Sequence, residues 1–213
     1  SNMNDPQASI QISSEYKRDV VAKLAANLSL ERALKAFAQI AELHEVADTF
    51  MIALYDDSDK TLVFRHVKMH SPFQGMKTIF EYYRIPIKNE DPIPQAFIEN
   101  VELKLKLKHL NMRRNYNHIS RFRFERWNIH EMVICPLEHN GIKFGVFVGF
   151  MHNKDISHTN FMQYKTDSEF LIPHLFNAYN LETYRSRDEI AKNALQERRE
   201  ILTLLSQLNM LQD

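Results

Sequence analysis

The apolar positions change period several times along the chain, and each change marks an element. From Tyr16, the run Val20, Val21, Leu24 and Leu28 has helical spacing. Ser29 then supplies an N-cap for a second helix carrying Leu30, Leu34, Phe37, Ile40, Ala41 and His44 on its apolar side and closing at Asp48. Thr49–Tyr55 is rich in strand formers, Asp56-Asp57-Ser58-Asp59 is turn chemistry, and Thr61–Met69 reads as the paired strand. Ile85-Pro86-Ile87 is a short extended piece. Asp91–Asn100 is a short helix with Asp91 as cap and its prolines confined to the first turn. In Val101–Lys108 leucine and lysine alternate. This predicts a half-buried strand, although Leu103, Leu107 and Leu110 also have helical spacing. Lysines on such a strand discourage edge-to-edge aggregation. Asn115–Trp127 is expected to return as a helix. The clearest local signal follows: Glu131–Glu138 and Ile142–Met151 flank Asn140-Gly141, a pair suited to the positive φ values of a tight hairpin. Gly145 and Gly149 share a strand face with Phe147, and their missing side chains would let a helix or a ligand approach the sheet.

The last part of the chain is helical in pattern from about Thr159, as one long helix or two nearly continuous ones over Asn160–Leu211. Pro173 lacks an amide donor and should kink or restart it. Beyond Tyr184 the positions Ile190, Ala194, Glu197, Ile201, Leu204, Leu208 and Leu211 follow alternating steps of four and three. That is an a/d seam of about three heptads with one charged interruption, which predicts a dimerising coiled coil. The chain therefore divides into residues 1–15, polar and flexible behind a Ser1-Asn2 scar, a domain over 16–184, and a signalling or dimerisation helix over 185–213.

Composition narrows the picture. The 213 residues are 44% hydrophobic, enough for a sizeable core, and 27 basic residues balance 27 acidic ones, so no global charge points to nucleic acid or membrane. No apolar run approaches the ~20 residues of a membrane span. The single cysteine, Cys135, forms no internal disulfide, which fits a reducing cytosol and a cytoplasmic location. With only 4 glycines, most phosphate-cradling loops are excluded.

Two stretches resemble known families. Ile85-Pro86-Ile87, Asp91–Asn100 and Glu102–Leu107 follow the middle of the element order of GAF domains. Cys135-Pro136-Leu137, then Gly141 and Gly145-Val146-Phe147, resembles the Pro-Leu, turn-Gly, Gly-Val-Leu signature of that family. The resemblance covers about Leu28 to Tyr184. It implies an α+β fold with an antiparallel sheet and flanking helices, and a regulatory ligand-sensing role relayed through the exit helix. The segment Phe170-Leu171-Ile172-Pro173-His174-Leu175, with Ala178 one turn later, is similar to the close of the sensory region in LuxR-type transcription regulators. That likeness implies an output domain elsewhere, and DNA as a partner only through it.

The resemblance also locates a ligand site between the sheet and the variable segment His70–Trp127. There Tyr82, Tyr83, Phe97, Tyr116, Phe122 and Trp127 would line the pocket and Arg121 or Arg123 would anchor a ligand whose identity, like that of any cofactor, is unknown. Residues 101–126 are locally basic with interleaved aromatics. This suits a solvated face, an anionic-ligand pocket or single-stranded nucleic acid.

No enzyme is expected. The 10 histidines are dispersed without HExxH or Cys-x-x-Cys spacing, and His174 is the expected structural one, beside the kink. Cys135 sits in an apolar strand where inert packing is the ordinary role. The Asp56–Asp59 run lacks the rest of a calcium loop. The competing readings are a ligand-free dimerisation module and, further off, a small enzyme using Cys135 or a histidine cluster.

Overall fold

The computed structural model describes residues 12–106 and 128–212. Their helices are α1 (Ser14–Ala26), α2 (Leu30–Leu43), α3 (Lys77–Phe80), α4 (Pro92–Glu99), α5 (His158–Ser168) and α6 (Ile172–Gln212). The strands are β1 (Thr49–Asp56), β2 (Thr61–Lys68), β3 (Arg84–Pro86), β4 (Leu103–Lys106), β5 (Glu131–His139) and β6 (Ile142–Met151). Short 3-10 turns at Ser71–Met76 and Glu169–Leu171 lead into α3 and α6. The helix expected over Asn115–Trp127 lies outside the described residues.

Local chemistry explains these bounds. Ser13, Ser29 and Ser157 each cap a helix by accepting an N–H bond three residues on. Asp91 caps α4 by position, with prolines in the first turn, and Asn100 ends it in the left-handed region (φ 53°). Asn140 and Gly141, at φ 50° and 77°, turn the β5–β6 hairpin as expected. The alternating leucines and lysines do form a strand, with Leu105 buried and Lys104 exposed. Pro173 falls in the first turn of α6, so the chain restarts its helix there after a tightened turn.

The strands form one antiparallel sheet in the order β3-β2-β1-β6-β5-β4. Both faces are covered. On one side Phe50, Ile52, Leu54, Val133 and Phe147 pack with α2, α5 and the root of α6. On the other Met51, Ala53, Met132, Ile134 and Val148 pack with α4 and the chain following β2.

The two glycines of β6 have a different reason from the one expected. At Gly145 it is neither helix nor ligand that comes close but the backbone of β1: a Cβ there would overlap the Ala53 carbonyl oxygen. At Gly149 it would stand 3.0 Å from the Ala47 Cβ and 3.2 Å from Val133. The fold's buried histidines also differ from the expectation. His44 bonds Asp167 of α5 at 2.8 Å and His152 bonds Thr49 at 3.0 Å, while His174 is only half-buried.

Because the Ala53 carbonyl cannot retreat from its ladder, Gly145→Ala should cost about 1–3 kcal/mol in urea unfolding. Gly75→Ala, with nothing within 4 Å of the added carbon, should change stability little.

Candidate functional site at the root of the exit helix

Where α6 crosses the turn end of the β1–β2 hairpin, residues from five elements (α2, β1, β2, β3 and α6) enclose a cavity of about 350 Å³. The hairpin turn is built first. Asp56 accepts from the Ser58 amide (3.0 Å) and hydroxyl (2.6 Å), an Asx arrangement, and Lys60 takes a positive φ of 57° to close it. Arg84 of β3 then bridges Asp56 (2.9 Å) and Asp59 (2.8 Å). Partial burial works against ionisation of Asp56, but its bonds from Ser58 and Arg84 prevail and hold its carboxyl below the ordinary value of 3.8.

The helix is fastened to this turn along one stripe. Tyr179, Glu182, Thr183, Ser186, Arg187 and Ile190 recur at helical spacing and all face the cavity. The Tyr179 hydroxyl donates to the Tyr55 carbonyl at 2.5 Å. Arg65 of β2 makes a two-armed bond to Glu182, 2.7 and 3.3 Å. Arg187 reaches Asp57 at 3.4 Å. Burial first, then the carboxylates of Asp56 and Asp57 with Tyr55, push the Tyr179 hydroxyl up to about 12, so it remains a donor at neutral pH.

Tyr55 connects this clasp to the opposite face. Its carbonyl receives Tyr179, its ring lies 5.1 Å from that of Phe97 in α4, and its hydroxyl donates to Asp57 at 3.3 Å. Asp57 is the same carboxylate that Arg187 touches. A continuous path therefore runs from the α4 side of the sheet to the exit helix.

Of the expected pocket residues, Tyr82, Tyr83 and Phe97 are described, in three different environments. Tyr82 is 65% exposed, with the Arg65 guanidinium 6.0 Å from its ring, and lines the exit-helix cavity. Tyr83 is stacked on Phe64 at 6.0 Å. Phe97 is buried against Tyr55. Tyr116, Arg121, Phe122, Arg123 and Trp127 lie outside the described residues. Cys135 is half-buried. Burial, assisted by Glu102 and opposed by Lys165, pushes its thiol up to about 11, away from the reactive thiolate. Among the described residues no group of three or more His, Cys, Asp or Glu side chains could hold a metal ion, and no helix is long and apolar enough to cross a membrane.

The sequence missed the clasp itself. Arg65 and Glu182, like Asp57 and Arg187, lie far apart in the chain and carry no local signature.

No family model matches this chain, and no curated protein matches it. Solved structures do. The GAF domain of a two-component sensor histidine kinase from Bacillus halodurans aligns with 74% of this chain and 98% of its own, at 16% identity and a TM-score of 0.57. The phycoerythrobilin-bound GAF domain from a cyanobacterial phytochrome aligns with 81% of this chain and 99% of its own, at 13% identity and a TM-score of 0.59. The GAF domain from an Acinetobacter phosphoenolpyruvate-protein phosphotransferase gives 78% and 93%, at 14% identity and a TM-score of 0.55. The fold is thus GAF-like: an α+β antiparallel sheet with flanking helices and a long C-terminal helix.

Tyr179→Phe should cost about 1 kcal/mol at neutral pH, the usual net worth of one such bond. A raised hydroxyl pKa means that the folded state holds its proton more tightly. The Tyr179 contribution is therefore complete below the ordinary value of 10 and lost as pH rises from there toward about 12. Denaturation midpoints measured across that window should fall less steeply in Tyr179→Phe than in the parent.

Proposed function

We propose that this chain is a regulatory, ligand-sensing module that relays occupancy through its exit helix. The observation that carries this reading is the Phe97–Tyr55–Asp57–Arg187 path, reinforced by the Tyr179–Tyr55 bond. In this reading residues 16–184 sense and residues 185–213 transmit. A small molecule bound on the α4 side, against Phe97, shifts the Phe97–Tyr55 contact. That contact biases how α6 is seated on the hairpin. Relay requires two seatings of α6 with different ligand affinity.

The module is non-catalytic, and its output is an element joined to α6. The similarity of Phe170–Leu175 to the close of LuxR-type sensory regions favours a transcription-regulating output. Past its root, α6 leaves Ile190, Ala194, Ile201, Leu204, Leu208 and Leu211 exposed, with Leu204 at 60% and Leu211 at 83%. This supports a homodimer zipped along the seam. Dimerisation alone, without a ligand, is the competing reading that the same exposure favours.

Three measurements separate these. Phe97→Ala should speed amide exchange over 172–190 of α6 while leaving the β5–β6 hairpin protected; unchanged exchange there rejects the relay. Leu204→Glu with Leu208→Glu should convert a dimer to a monomer in sedimentation, and an unaltered mass rejects the seam. Native mass spectrometry of the parent should find a retained small molecule; an empty dimer shifts the reading to dimerisation alone.

A further inference from the structure

The exit helix α6 runs unbroken for 41 residues, and its exposed apolar seam begins at Ile190. Ile190 also lines the clasp cavity, with Thr183 and Ser186. That coincidence fixes the direction of the seam. Steps of eighteen residues are about five whole turns, so Thr183, Ser186 and Ile190 stand in line with Ile201, Leu204 and Leu208. The seam is therefore the same face of α6 that the β1–β2 hairpin already occupies nearer the root. Within that stretch Arg187 reaches Asp57 of the hairpin turn at 3.4 Å.

A second copy in parallel register with the seam is obstructed. Its helix, laid along Ile201 and Leu204, runs toward the root into the Asp57-Ser58 turn that faces Ser186 and Arg187, and α6 has no break at which the two helices could part. A copy arriving from the opposite direction meets no such obstacle, because its own body lies beyond the far end of the seam.

The side chains favour the same orientation. Ala194, Ile201 and Leu208 hold the a positions of the heptad, and Glu197, Leu204 and Leu211 hold d positions. Parallel pairing sets each d residue against itself, so two Glu197 carboxylates oppose one another inside the seam, and at the flank it sets Leu205 against Glu200. Antiparallel pairing sets a against d. With the two-fold axis between Leu202 and Thr203, Ala194 receives the partner's Leu211, Glu197 lies on the partner's Leu208, and Ile201 packs on the partner's Leu204. No like charges meet in these layers. The exposed Leu202 and Leu205, which a parallel seam leaves at or beyond its flank, gather with their counterparts around the axis.

We propose that a second copy of this chain docks antiparallel on this face, α6 against α6, with the two sensing bodies at opposite ends. The inference rests on the dimer reading above and adds its orientation and its consequence. Because clasp and seam share one face, the partner's Leu211 comes to rest on Ala194, about one turn from Ile190 and the clasp cavity. A change in how one hairpin holds α6 therefore moves the surface on which the end of the other helix is seated.

Cysteine cross-linking of the full chain in a Cys135→Ser background tests the orientation. Ala194→Cys and Leu211→Cys are made singly, one of them carrying a mass tag, then mixed under reducing conditions and oxidised. In the antiparallel pair the two positions meet, while like positions stand about 25 Å apart at 1.5 Å per residue. The mixture should yield a disulfide-linked species containing one of each variant, with little product from either variant alone. Spin labels at Thr203→Cys and Met210→Cys, which share one heptad position outside the seam, give a second measurement that leaves the packing intact. The distance between copies should be clearly longer at 210 than at 203. Symmetric cross-links in both single variants, or equal label distances at the two sites, overturn the orientation and leave the dimer reading standing. A parent that sediments as a monomer overturns both.

Discussion

The double burial of β1 is the constraint on which the rest of the structure depends. It is paired on both edges, by β2 and β6, and covered on both faces, so every residue of Thr49–Leu54 is buried. Every backbone group in such a strand must find its partner in the ladder, and every side chain must be apolar or bring its own partner. Thr49 is the polar exception. Its hydroxyl accepts the His70 amide at 2.8 Å and shares a bond with His152, tying the start of β1 to the ends of β2 and β6. Because the ladder cannot open, the β1 backbone presses on β6, and only glycine fits at position 145. The helical layer and the α4 layer are then two cores hung on one rigid strand.

Rigidity gives Tyr55 its importance. It is the first residue of β1 to leave full burial, so its position is fixed by the core while its ring, carbonyl and hydroxyl meet three different neighbours. A residue on a soft loop would absorb a disturbance. One at the end of a pinned strand passes it on, because the remaining freedom lies in its partners, Phe97 on one side and α6 on the other.

The sequence disclosed what depends on neighbours in the chain and concealed what depends on distant ones. The β5–β6 hairpin, the Ser29 cap, the Asn100 stop and the Leu-Lys strand are local devices, each set by a few adjacent residues, and each could be read directly. Gly145 was visible as a glycine needing space, but not that a neighbouring strand, rather than a helix, fills that space. The choice of buried histidine failed for the same reason. His174 beside a proline looked structural, whereas His44 is the one whose Asp167 partner arrives from a helix 123 positions later. Phe97 was expected to line a pocket from its aromatic character. Burial against Tyr55 made it a wall of the core instead.

The geometry of α6 sets how much a small event at its root can achieve. The helix is 41 residues long, about 60 Å at 1.5 Å per residue. It is held at two heights, around Ile172 by its packing on β5 and α5 and at Tyr179–Arg187 by the hairpin clasp. The two grips are about 15 Å apart along the axis, and about 40 Å of helix extends beyond the second. A rod held this way pivots rather than slides. If one grip shifts by about 1 Å while the other holds, the free end moves by about 3 Å, comparable to the helix shifts that repack interfaces. The ion pairs of the upper grip are partly exposed, so each contributes little to stability. That weakness suits the change of seating proposed above: the core fixes where the helix begins, and marginal contacts hold the direction in which it leaves.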